Sequence, residues 1–202
     1  MQKALRKPLP KRVISRTLLL FLCSYFVFLV LWIQVKDDYG WMVTWGTSKL
    51  TALLNNVDFE EMAKKKNMIE ATFSPGGRHA NLLVDIPVRT SSYTFNAPLT
   101  FAIMAALFPF ISRRWRAYGE ALAILFGVHC LYVFSIESNT LCMTLAQRGL
   151  GEIGKLRLYA YQFLWEFTDN MVIRFEPFLI GFYTFIRFRK PGTLERMGGK
   201  KQ

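Results

Sequence analysis

The feature that most constrains this chain is an uncharged apolar run near its start. Residues 17–33, TLLLFLCSYFVFLVLWI, contain no charged side chain, and two further uncharged residues follow. A helix of that length crosses a bilayer hydrocarbon core of roughly 30 Å at a rise of about 1.5 Å per residue. Further apolar blocks occupy residues 97–111, 121–136 and about 171–188. The pattern predicts an α-helical integral membrane protein with about four transmembrane helices.

The first apolar run is predicted to be a retained anchor. It is longer than the roughly 7–15 apolar residues of a cleavable signal peptide, and no small-x-small cleavage pattern follows it.

Basic residues are concentrated in three regions. Fifteen of the 26 Lys and Arg residues, but only two of the 14 acidic residues, lie in residues 1–16, in the link 112–120 and from Arg187 onward. The positive-inside rule assigns these regions, and therefore both termini, to the cytoplasm. The net charge of +12 is thus explained by orientation and by contact with anionic lipid headgroups, and it does not indicate nucleic-acid binding.

These patterns divide the chain into nine predicted segments. They are a cytoplasmic basic N-terminus at 1–16, a first span at 17–35, an external α/β segment with a short β-sheet at 36–96, a second span at 97–112, a cytoplasmic basic loop at 113–117, a third span at 118–136, an external amphipathic helical connection at 137–167, a fourth span at 168–188 kinked at Pro177, and a cytoplasmic basic tail at 189–202.

The external segment 36–96 is predicted to begin with a helix and to continue as strands. Trp41 and Trp45 recur at helical spacing with three leucines, which indicates either an interfacial helix or a continuation of the first span. Short strands are expected on both sides of the turn sequence SPGG at 74–77, up to about residue 95. A sheet of three or four such strands is marginal alone, so we expect it to lean on the membrane helices or on a partner.

The connection 137–167 is predicted to form two short amphipathic helices, interrupted by glycines at 149, 151 and 154. Aromatic side chains in its second half are typical of a membrane interface or of partner packing. The candidate partner-docking residues of the whole chain are Trp41, Trp45, Tyr159, Tyr161, Phe163 and Trp165.

Polar and charged residues precede and enter the predicted fourth span: Glu166, Asp169, Asn170, Arg174 and Glu176. Counting back from Arg187 puts Glu176 about 16 Å into the membrane, where charges are rare and face protein or water. Pro177 frees the carbonyl of Ile173, and Glu176 points about 200° away from Arg174 around the helix axis. Three hypotheses remain open here: an interfacial turn, buried pairing with another helix or subunit, and proton or ion transfer or catalysis.

Two further residues are candidates for chemistry. His129, in the third span, is either a proton relay or a packed, hydrogen-bonded side chain. Cys142, near Asn139 and Arg148, is a possible nucleophile if a base activates it. No motif for metal, nucleotide or hydrolase chemistry occurs, so no cofactor, metal ligand or catalytic residue is predicted.

The arrangement resembles the exosortase H-associated small membrane proteins of Gram-negative bacteria. The resemblance is carried by YTFNAPLTFAIMAALF entering the second span and YQFLWEFTDNMVIRFEPFLIGFYTF leading into the last, with Asn96, Pro98, Tyr161, Gln162 and Pro177 as matching residues. It implies a bacterial inner-membrane protein with residues 36–96 and 137–167 in the periplasm. It also implies a non-enzymatic accessory subunit of a cell-envelope complex, with other membrane subunits as partners. The alternative is a membrane enzyme or transporter component that uses Glu176, Arg174 and His129.

Overall fold

The computed structural model describes residues 11–66, 68–75, 82–149 and 153–191. The predicted basic N-terminus and basic tail lie largely outside these residues, as does the second half of the SPGG sequence.

The first apolar run belongs to one uninterrupted helix, α1, at Lys11–Asn55. No proline interrupts its 45 residues, which extend about 68 Å, more than twice the thickness of a hydrocarbon core. The helix after residue 35 is therefore a continuation of the first apolar helix. α1 ends where Asn56 adopts a left-handed backbone with φ 55°.

A three-stranded antiparallel sheet follows, with strands in the order of the sequence. Its strands are β1 at Asp58–Lys65, β2 at Met68–Ser74 and β3 at Val84–Arg89. Val84, Ile86 and Val88 are buried while the residues between them are exposed, which is the alternation of a strand with one buried face.

The sheet is stabilised by the helices rather than by its own small core. Phe73 and Ile86 pack in one cluster with Ala52 of α1 and with Leu141 and Leu145 of the later helix α4, at Arg114–Gln147. Because a sheet of three strands buries too little apolar surface to be stable alone, its fold depends on this contact.

The described residues after the sheet are mostly helical. They contain α2 at Ser91–Thr94, α3 at Asn96–Leu107 with a 3₁₀ turn at Phe108–Phe110, α4, α5 at Lys155–Phe167, a π-helical turn at Thr168–Val172 and α6 at Ile173–Phe188. Two elements differ from the predicted ones. Residues 91–94 are helical rather than extended, and the first predicted short helix after residue 136 is the end of α4.

Three helical stretches in the described residues are long and apolar enough to cross a membrane: Arg12–Asn55, Ser91–Phe110 and Arg114–Gln147. α6 has 16 residues and follows the π-helical turn. The protein is therefore mostly helical, with three candidate spans and a small sheet, and the predicted fourth span remains a prediction.

The bundle has two chemically different ends. At one end, which we name the sheet end, Lys64 of β1 pairs with Asp37 of α1 at 2.8 Å. At the other, the arginine end (residues 111–116 and 187–190), the backbone of Ile111 pairs with that of Arg189 and ties α3 to α6. α3 and α6 approach closely because residue 181 is glycine, where a Cβ would overlap the side chain of Ile103.

Candidate functional site

Four polar side chains, one from each of four helices, meet inside the bundle. They are Tyr39 of α1, Asn96 of α3, His129 of α4 and Glu176 of α6, and we name them the four-helix polar cluster. His129 is fully buried, and Glu176 is 2% exposed. The cluster lies near the sheet end, because Tyr39 is two residues beyond the Asp37 that pairs with the sheet.

The four side chains form a connected path. Tyr39 Oη lies 2.7 Å from His129 Nδ1, and His129 Nε2 lies 3.4 Å from Glu176 Oε2. Asn96 Nδ2 donates to the same carboxylate oxygen at 2.9 Å. When the phenol donates to Nδ1, the neutral ring carries its proton on Nε2, which faces the carboxylate. Nε2 has no hydrogen-bond partner among the described residues, so the two side chains approach closely without a hydrogen bond between them.

Glu176 is incompletely satisfied. Its Oε1 is buried and accepts no hydrogen bond from any described residue. Buried carboxylate oxygens usually have partners, because desolvation without compensation is unfavourable. Other buried polar atoms in the described residues share this property, among them His129 Nε2 and Asn139 Oδ1, but Glu176 contributes the carboxylate oxygen of the set.

Asn96 also satisfies the backbone at the proline of α6. Its Nδ2 donates to the carbonyl of Ile173 at 2.6 Å, and this is the carbonyl that Pro177, four residues later, leaves without its helical donor. Sequence reasoning predicted the free carbonyl but not its partner. One amide thus holds α3 against both the irregular backbone of α6 and its buried acid.

Aromatic rings enclose His129. The rings of Tyr39 and Tyr93 contact the imidazole edge-on, with centroids 5.6 Å and 5.2 Å away. Tyr93 is fully buried, and Gly40 lets this part of the chain approach α1, since a Cβ there would overlap Thr90. The rings limit water access to the imidazole on these faces.

The other charged residues singled out before the last helix do not join this cluster. Asn170 donates to the carbonyl of Glu166, and Gln162 donates to the Glu166 side chain, all within one helical run. Asp169 is half-buried and interacts with Tyr132. Arg174 is exposed on a different face from Glu176. The structure therefore brings together His129 and Glu176, but neither Arg174 nor Glu166, Asp169 and Asn170.

A second buried carboxyl group was missed by sequence reasoning. Glu137 of α4 is fully buried, and its two oxygens accept hydrogen bonds from Ser48 at 2.6 Å and Thr51 at 2.8 Å. We name these three residues the Glu137 cluster. The available signal was the polar stripe of Ser48, Thr51 and Asn55 along α1, at spacings of three and four residues that place them on one helix face.

Cys142 lies beyond the Glu137 cluster and is buried, with 2% of its surface exposed. Its Sγ is 3.6 Å from Asn55 Oδ1, which also accepts from Arg157 at 2.9 Å. Among the described residues, the histidine on the same helix, His129, lies about 20 Å away along the axis. The geometry therefore provides neither access nor a base for a nucleophilic thiol.

Two apolar faces are exposed near the sheet end. On α1 they include Trp41, Trp45 and the leucines at 50, 53 and 54, of which Leu53 is 75% exposed. On α5 they include Leu156, Tyr159, Phe163 and Phe167, which recur at helical spacing on one side. Of the other docking candidates, Tyr161 and Trp165 are half-buried. The described residues contain no group of three or more side chains suited to a metal ion.

The comparisons with known proteins agree with the architecture. A family model described as "Exosortase H-associated membrane protein" matches residues 11–188. No curated protein and no solved structure matches the chain. Since the match runs from the start of α1 to the end of α6, the chain belongs to the exosortase H-associated membrane protein family.

Proposed function

We propose that this chain is a non-enzymatic accessory subunit of an inner-membrane complex that contains an exosortase. Both termini are cytoplasmic, α6 with the turn before it forms the fourth span, and the sheet end is periplasmic. The family membership supports the association. The orientation is supported by the basic side chains of Arg113, Arg114, Arg116, Arg187 and Arg189 at the end opposite the sheet.

The observation that carries the accessory role is the exposed apolar face of α1 after Asp37, a part of the helix that we place outside the membrane. From Asp37, which pairs with the sheet, α1 continues for about 27 Å to Asn55. Leu50, Leu53 and Leu54 are 47%, 75% and 53% exposed there. Clustered apolar side chains outside the hydrocarbon core mark a surface that another protein covers. We propose that the exosortase or another subunit packs on this face and on the exposed side of α5.

The proposed docking is tested by charge substitution on that face. Tagged full-length chain is purified in mild detergent, and the exosortase that co-purifies is quantified. We expect Leu53→Lys to reduce co-purification at least about tenfold, since burying an unpaired ammonium opposes association. Leu83→Lys is the matched control, because Leu83 is also exposed at the sheet end but precedes β3. Wild-type recovery with Leu53→Lys would contradict the proposed surface.

The second candidate function is a proton path or a membrane enzyme using Glu176, Arg174 and His129. The observation that favours it is the buried contact between His129 and Glu176, whose Oε1 has no hydrogen-bond partner among the described residues. Single substitutions Glu176→Gln, Arg174→Ala and Cys142→Ser separate the two functions. A complex that assembles fully yet is inactive with Glu176→Gln supports proton chemistry, whereas loss of assembly supports the structural role.

A further inference from the structure

An apolar groove runs along the bundle at the arginine end. It has a volume of about 460 Å³ and lies between the first turns of α1 and the end of α3. Its lining consists of Val13, Ile14, Thr17, Leu18 and Phe21 on α1, Ile103, Ala106, Leu107 and Phe110 on the α3 side, and Phe185 of α6. Thr17 is its only polar lining residue, so the groove is suited to a hydrocarbon ligand rather than to water.

The α1 wall of this groove is not covered by the rest of the described chain. In α1, the first side chain that belongs to a buried core cluster is Trp32. Before it, residues 13, 17, 21, 24 and 28 form a half-buried stripe that faces the bundle. In the most apolar 18 residues of α1, only 6% of the positions are buried. The corresponding stretches of the other two candidate spans are 44% and 33% buried. α1 and α3 therefore leave a slot between them near the arginine end.

Basic side chains stand at one end of the slot. The carbonyl of Phe110, a lining residue, accepts a hydrogen bond from the backbone of Lys190, and the adjacent Ile111 pairs with Arg189. The acid described at this end, Glu120, is already paired with Arg116 and Arg187. Arg113 and Arg189 are exposed and form no ion pair with a described carboxylate. Among the described residues, this end of the bundle therefore carries positive charge that no ion pair balances, next to the chain segment that ends the groove.

The combination matches a lipid better than it matches a helix of another subunit. The volume of the groove, about 460 Å³, is in the range of small-ligand sites. A helix with its side chains is about 10–12 Å in diameter and needs a larger groove. Apolar walls open to the bilayer accept an acyl chain, and guanidinium groups bind phosphate oxygens through charge-assisted hydrogen bonds.

We propose that this groove binds one acyl chain of an anionic glycerophospholipid, whose phosphate lies against Arg113 and Arg189. The site is independent of the proposed accessory role, because it lies at the end of the bundle away from the proposed docking face. The lipid fills the slot between α1 and α3 and so fixes the position of the first turns of α1.

The groove is tested with purified full-length chain in mixed micelles that contain either phosphatidylglycerol or phosphatidylcholine. Retained lipids are counted by native mass spectrometry. We expect about one tightly retained phosphatidylglycerol per chain, and at least about fivefold lower occupancy in Thr17→Trp, which fills the slot. Leu19→Trp is the control, because Leu19 is 62% exposed and does not line the groove. We expect it to retain lipid as the wild type does.

The charge contribution is tested separately. We expect the double variant Arg113→Gln with Arg189→Gln to reduce the preference for phosphatidylglycerol over phosphatidylcholine at least about fivefold. Arg148→Gln, an exposed arginine near the sheet end, should leave the preference unchanged.

Three results would overturn the proposal: no retained phospholipid in the wild type, equal losses in Thr17→Trp and Leu19→Trp, or no preference for the anionic headgroup. Gel filtration and helical circular dichroism of each variant verify that the chain is folded, so that lost retention reports the groove. If Thr17→Trp does not fold, Ile14→Trp, at an exposed position of the same wall, replaces it.

Discussion

Glu176 and Glu137 are both buried acids, but they have opposite surroundings. Glu137 accepts one hydroxyl hydrogen bond at each oxygen, from Ser48 and Thr51. Glu176 accepts from the amide of Asn96 at one oxygen, faces His129 across 3.4 Å, and has no hydrogen-bond partner at the other oxygen among the described residues. One acid is satisfied by neutral hydroxyl groups, whereas the other lies beside an imidazole, whose nitrogens can each donate or accept a hydrogen bond.

The difference indicates different roles for the two acids. Hydroxyl donors that satisfy both oxygens of Glu137 fix the register of α1 against α4, because a displacement along either axis leaves a buried polar group unpaired. In the four-helix polar cluster, Asn96 instead holds one oxygen of Glu176, and His129 Nε2 faces the same oxygen across 3.4 Å without a hydrogen bond. The Glu137 cluster is therefore a fully satisfied structural connection, whereas the four-helix polar cluster leaves buried polar atoms of His129 and Glu176 without partners among the described residues.

The largest expected effect is from removing the better-satisfied acid. Glu137→Ala leaves the Ser48 and Thr51 hydroxyls without their acceptor and creates a cavity, so we expect a loss of about 3–5 kcal/mol in the free energy of unfolding. Thermal or denaturant unfolding in detergent measures it. Glu166→Ala, at an exposed position of α5, is the control and should change stability by less than about 0.5 kcal/mol. A loss below about 1 kcal/mol for Glu137→Ala would show that this acid does not connect the helices.

Removing the amide that donates to Glu176 should reduce the free energy of unfolding by a smaller amount. Asn96→Ala removes the hydrogen bonds to the Ile173 carbonyl and to Glu176, for an expected loss of about 2–3 kcal/mol. Asn170→Ala is the matched control, since that amide donates only to the Glu166 carbonyl on an exposed surface. Equal losses in the two variants would mean that the carbonyl freed by Pro177 does not need Asn96.

Local geometry accounts for the parts of the site that the sequence predicts. The 100° turn per residue is sufficient to separate Glu176 from Arg174, and the missing N–H of Pro177 is sufficient to free the Ile173 carbonyl. Local geometry does not predict the hydrogen-bond partners of these groups. Asn96 lies 80 residues from Glu176 along the chain, and no local rule relates the two positions. The sequence therefore predicts which groups need partners, and the tertiary packing decides which groups satisfy them.

The same limit applies to α1 and to Glu137. The sequence left open whether the segment after the apolar run is an interfacial helix or a continuation of the first span. In the structure the helix continues, Asp37 pairs with Lys64 of the sheet, and Gly40 makes room for Thr90. Glu137 directly follows an apolar block, where an acid is usually solvated. It is buried because α4 continues beside α1 rather than ending there. The apolar blocks, the small sheet and the basic ends follow from composition and periodicity, which are local properties.

The smallest expected effect on stability provides the sharpest test of the difference between the two acids. Tyr39→Phe keeps the ring that contacts His129 and removes only the hydroxyl 2.7 Å from Nδ1, so the loss should be about 0.5–1.5 kcal/mol. The control Tyr159→Phe, at a 64% exposed position, should not change the free energy of unfolding.

The decisive measurement is nitrogen NMR of histidine-labelled protein in detergent, which is simple to assign because the chain has two histidines. We expect the signals of the His129 ring nitrogens to shift in Tyr39→Phe, because Nδ1 loses its hydrogen-bond partner and the preferred tautomer changes, and to remain unshifted in Glu137→Gln. Unchanged His129 signals in Tyr39→Phe would show that the phenol does not control the imidazole. The two acids would then differ in packing but not in chemistry.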